Sequence, residues 1–169
     1  EEIIDVNNPE QIVKGLVSKG RDEAKNIAVD NNGYVYVNVG SYDETCKEAG
    51  TNKGKMPCPL LDSVGGIWRF KANQLNQQYS DGIRYATGLK NVVGLDWNSS
   101  TNSLFVMMHG RGKFHDVFPQ YYTPQDSVPP GSWTTGCARL MRPHCSARCT
   151  RNCGRTARRP PFRRRCAAG

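Results

Sequence analysis

The chain has 169 residues, with 23 Lys and Arg against 15 Asp and Glu and a formal net charge of +8. That length can bury one core, and no apolar run of about 18 residues is present to form a membrane-spanning helix. The charge is unevenly placed: residues 129–169 carry 10 Arg and no acidic residue, whereas residues 1–128 hold 13 Lys and Arg against 15 Asp and Glu. The body is therefore close to neutral, and no nucleic-acid partner is expected for it.

In chain order, Asn26 to Val29 read as a short strand of apolar alternation, and Tyr34 to Val39 as a second, β-rich strand closed by Gly40. Between them, Asp30-Asn31-Asn32-Gly33 supplies residues that tolerate positive φ, as a tight hairpin demands. Cys46 and Cys58 then bracket a loop rich in Gly, Lys and Pro. A disulfide between them would stabilise by about 3 kcal/mol, chiefly by restricting the unfolded loop, and would place the chain in an oxidising compartment. Two reduced, unrelated thiols are the alternative, and the approach of the two α-carbons decides between them.

Gly66 to Phe70 and Ile83 to Leu89 read as two more strands, after which Gly94 to Trp97 and Leu104 to Gly110 repeat the first hairpin around a longer polar turn. Roughly four strands per repeat is the pattern of a β-propeller blade, which cannot bury its faces alone. The expected fold is all-β: a partial six-bladed β-propeller of about two to three blades over residues 1–128. Residues 129–169, with 10 Arg, 5 Cys and neither Ile nor Val, lack an apolar face. This Arg/Cys-rich tail is expected to be disordered. Its composition fits a nucleic-acid or anionic-membrane arm, a metal site built on His144, Cys145, Cys149 and Cys153, or the product of GC-rich codons out of frame.

The segments Ala24 to Asp30, Tyr36 to Gly40, the Cys46/Cys58 loop with Pro57-Cys58-Pro59, Gly66 to Phe70 and Tyr85 to Leu95 together resemble the glucose/sorbosone dehydrogenase family, in order, over residues 10–128. The resemblance implies a six-bladed propeller that oxidises sugars or aldoses by hydride transfer to pyrroloquinoline quinone, assisted by calcium, in an extracellular or periplasmic setting. The electron acceptor is not specified by it. Lys90 and Asn91 stand at the cofactor-binding Arg-Asn of the family. They keep the charge but lose the planar fork of Arg. Asp22 stands where the family has a His general base, and a carboxylate of ordinary pKa is a weak base at neutral pH. The backbone carbonyls of Gly110 and Arg111 fall at the calcium position, although Asp116 is the only nearby acidic residue and calcium favours several hard oxygens.

The rival reading is a noncatalytic propeller that binds glycans or protein partners, or an inactive truncated product. Trp68, Trp97, Phe70, Phe105 and Tyr36 suit inter-blade packing better than a sugar platform. His109 and His115 are candidate transition-metal ligands or a pH-sensitive pair, and are equally at home as surface residues. Asn98-Ser99-Ser100 is a glycosylation sequon in the turn of the second hairpin.

Overall fold

The computed structural model describes residues 7–20, 23–43, 45–108 and 114–124, together with the backbone of two further strands, Gly136–Leu140 and Arg148–Cys149. The strands in chain order are β1 (Val13–Lys14), β2 (Ile27–Val29), β3 (Tyr34–Val39), β4 (Gly66–Lys71), β5 (Gln77–Gln78), β6 (Ile83–Thr87), β7 (Val92–Asn98), β8 (Ser103–Met108), β9 (Gly136–Leu140) and β10 (Arg148–Cys149). One short α-helix, α1 (Phe114–Val117), is present among the described residues. The all-β expectation holds.

Two antiparallel meanders dominate, β2-β3-β4-β6 and β7-β8-β9-β10. The first begins with the hairpin that the Asp30–Gly33 turn predicts. Asp30 is buried, its Oδ1 accepts from the N–H groups of Asn32 and Tyr34 at 2.9 Å each, and Gly33 takes φ +79°. An acceptor that holds two backbone donors stabilises the turn much as an Asx motif does. The register that follows, Val37 opposite Ile27 and Trp68, puts Val35, Val37 and Val39 on one face of β3 and Tyr36 and Asn38 on the other. β3 is thus a central strand buried on both faces.

Tyr36, Ala28, Ile67, Tyr85 and Leu89 of the first sheet pack with Val92, Leu104 and Val106 of the second, making the core between the sheets. Their leading strands, β2 and β7, lie against each other. Tyr36 stacks on Trp97 (centroids 5.5 Å apart, planes within 10°) and meets Tyr85 edge-on at 4.9 Å. Trp68 and Phe70 are buried on the opposite face of the first sheet. These aromatic residues are spent on packing.

That opposite face is covered by an element the sequence did not announce. β1 pairs in parallel with β5, and Ile12, Val13, Leu16 and Val17 pack over Val35, Val37 and Trp68. The buried Gln77 carboxamide fixes β5 beside the end of β4, donating to the carbonyls of Lys71 and Gln74 at 2.7 Å and accepting from Lys71 N–H at 3.1 Å, while Gln77 N–H donates to Ile12 O of the cover at 2.9 Å. The cover stops short of β2, where Ile27 and Val29 remain 59% and 54% exposed.

β9 and β10 fall within the segment expected to be disordered. Met108 to Leu104 pair with Gly136 to Leu140. A strand edge offers unpaired N–H and C=O groups to any extended chain, so this pairing needs no apolar pattern in its partner. The described residues form two four-stranded sheets, fewer than the roughly four that a closed ring requires.

Candidate functional site

Antiparallel meandering brings to one end of the sheets the start of β2, the end of β3, the start of β4, the end of β6 and the start of β7. The 88–91 turn that joins the two sheets sits there. Gly88 enters the left-handed region (φ +79°), Leu89 is buried with its N–H on Gly65 O at 2.9 Å, and Lys90 O accepts from Ser41 N–H at 2.8 Å. The backbone of the turn is therefore fixed to the ends of β3 and β4. Lys90 is half-buried and Asn91 is 7% exposed.

The junction behind this turn is made by two asparagines. Asn38 N–H bonds Asn26 O at 2.9 Å, which extends the β2–β3 ladder by one pair and sets both side chains on the face turned toward β7. Asn38 Nδ2 donates to Ala24 O at 3.1 Å and to Val92 O at 3.3 Å, and Asn26 Nδ2 donates to Val93 O at 3.1 Å. Both Oδ1 atoms are buried and have no protein partner. These residues, read in the sequence only as parts of apolar strands, hold the start of β7 and hence Asn91 in place. Polar residues at the ends of alternating runs were the available signal.

Beside the turn, Cys46 and Cys58 form a disulfide with α-carbons 5.9 Å apart, which decides between the two sequence readings. The loop it closes is a small hairpin, with Lys47 opposite Gly54 and Lys55 N–H on Cys46 O at 2.8 Å. Ser41 Oγ donates to Asp43 O at 2.6 Å, tightening the turn by which the chain leaves β3 for this loop. Segment 114–124 lies over it: Phe118 is buried, a Cβ at Gly54 would sit 3.8 Å from its ring, and Gln120 Nε2 donates to Asn52 O at 2.9 Å. His115 Nδ1 lies 2.7 Å from Tyr122 O, so the ring nitrogen donates there and serves the segment's own fold. Asp116 is on the same short helix.

Lys25, two residues before β2, donates from Nζ to Glu23 O at 2.9 Å, and burial lowers its pKa against the opposing pull of Glu23. Glu23 itself is held below the usual carboxylate range by hydrogen bonds from Ser18 and Gly20. Asp22, Gly110, Arg111 and His109 lie outside the described residues. The structure thus places Lys90, Asn91 and the disulfide loop together at one end of the two sheets.

A half-buried lysine followed by a buried asparagine supplies a cation and a carboxamide, the donor types that an anionic, planar group takes. Among the described residues no group of three His, Cys, Asp or Glu side chains is arranged to hold a metal ion. Nor is any helix among them long and apolar enough to cross a membrane. Comparison with protein-family models, curated proteins and solved structures finds no match to this chain.

Proposed function

We propose that the chain is part of a β-propeller dehydrogenase of the glucose/sorbosone type, which oxidises a sugar hydroxyl or aldehyde with pyrroloquinoline quinone in an extracellular or periplasmic compartment. The observation that carries this reading is the Lys90–Asn91 turn, fixed through Ser41 at the junction of two four-stranded meanders whose leading strands touch. The disulfide supports the oxidising compartment.

When bound, the quinone supplies the acceptor for the substrate's hydride. Lys90 would hold the cofactor's anionic oxygens through its ammonium, and Asn91 would orient it through its carboxamide. Asp22 takes the hydroxyl proton of the substrate, which requires a carboxylate pKa raised by burial. Neither Gly110–Arg111 nor the described residues furnish a carboxylate-rich cage, so no step is assigned to calcium.

The test is to titrate the full chain with pyrroloquinoline quinone, with and without calcium, following tryptophan fluorescence, and then to add glucose or sorbosone with an electron-accepting dye. Saturable quenching and dye reduction are expected, and Lys90→Ala should weaken quinone binding roughly 10-fold or more, the worth of one charge-assisted contact. No quenching and no turnover would remove the assignment. Asp22 and Lys90 replace the His and Arg of the resembled family, and this favours a second reading, a noncatalytic propeller that binds glycans or proteins. Asp22→His combined with Lys90→Arg distinguishes the two: gained quinone affinity supports the dehydrogenase and unchanged affinity the binding module.

A further inference from the structure

The β7–β8 turn carries chemistry that the site at the other end of the sheets does not use. Asn98, Ser99 and Ser100 are all exposed, and they form the single Asn-x-Ser/Thr sequence in the chain. Trp97 points into the core to stack on Tyr36, so the next residue along the strand points away from it. Asn98 Oδ1 accepts from Thr101 N–H at 3.0 Å, so the turn is closed through the oxygen of the carboxamide. The disulfide at Cys46–Cys58 independently argues for maturation in an oxidising compartment.

From these observations we infer that Asn98 is an N-glycosylation site. The donor is an oligosaccharide carried on a lipid pyrophosphate. A bond forms between Asn98 Nδ2 and C1 of the first sugar as the C1–O bond to the pyrophosphate breaks, Nδ2 gives up one proton, and the lipid pyrophosphate leaves with the electron pair. No oxidant is involved. β7 spans seven residues from Val92 to Asn98, which sets the glycan about 20 Å from the Lys90 turn. It can therefore be carried without obstructing that end, and the inference does not rest on the sugar-oxidising reading.

The full chain should be directed into the secretory pathway of a eukaryotic host, with both the retained and the secreted pools treated with peptide-N-glycosidase. The expected result is one step of mobility shift and conversion of Asn98 to Asp in the peptide mass spectrum. Asn98→Gln and Ser100→Ala should each abolish the shift, whereas Ser99→Ala should keep it. Unmodified Asn98 in both pools, beside a co-expressed glycoprotein that is modified, would overturn the inference. So would a shift that persists in Asn98→Gln. Analysing both pools keeps the answer independent of whether a given variant folds well enough to be secreted.

Discussion

The sharpest prediction concerns Asn38, which is fully buried and joins the two sheets. Asn38→Ala removes donors to Ala24 O and Val92 O and leaves a small void. Two lost hydrogen bonds and the void together cost on the order of 3 kcal/mol, while deleting an amide oxygen that has no protein partner returns about 1 kcal/mol. The net expectation is a loss of about 2 kcal/mol in urea denaturation with an unchanged slope. Asn38→Asp should cost more, since it sets a buried anion against two carbonyl oxygens. Asn26→Ala, at a half-buried position with one hydrogen bond to Val93, should cost about 1 kcal/mol. Because Val92 follows Asn91, the Asn38 variant should also speed amide exchange at Ser41, whose N–H rests on Lys90 O. An Asn38→Ala loss below about 0.5 kcal/mol, or an Asn38→Asp protein as stable as the parent at neutral pH, would refute the idea that these carboxamides join the sheets.

Replacing Cys46 and Cys58 together by Ser opens a loop with a sequence separation of 12, which should lower unfolding free energy by about 3 kcal/mol, measured against the oxidised parent in the same denaturant. Gly66→Ala would drive a Cβ into the Ala86 carbonyl of the neighbouring strand, where only backbone could give way, so a loss on the order of 3 kcal/mol is expected from thermal melts. Burial raises the pKa values of Tyr36, Tyr79 and Tyr85 from 10.0, with the Asp30 hydrogen bond adding to the rise at Tyr36. Each group is protonated in both states below pH 10, where its contribution is complete. Above that, the unfolded chain ionises first, and stability falls until the folded values are passed. A denaturant midpoint that stays flat through this alkaline range would contradict the burial of these rings.

The strands legible in the sequence were short β-rich apolar runs between punctuating turns: Tyr34 to Val39, Gly66 to Phe70 and Leu104 to Met108 all lie where the pattern placed them. β7 begins at Val92 rather than Gly94, because its first turn of pairing is carried by the Asn carboxamides and a bulge between Val92 and Gly94, neither of which leaves an apolar rhythm. β1 and β5 were invisible for a related reason. Two-residue strands such as Val13-Lys14 and Gln77-Gln78 have no period to read, and their parallel pairing joins segments distant in the chain. Lys90 and Asn91 could be singled out by resemblance, but their anchoring through Ser41 is a contact between backbone atoms and writes nothing into side-chain identity.

The parallel clasp between Val13–Lys14 and Gln77–Gln78 has a kinetic side. Its partners are 64 residues apart, so it can fasten only after the hairpins between them have brought Gln77 into reach, since long closures come late. Until then, Val35, Val37 and Trp68 face water as a greasy flank. A nascent or heat-stressed chain is most prone to stick to its neighbours in that interval, and anything that tethers the N-terminal strap early should act as a built-in chaperone for the sheet beneath it.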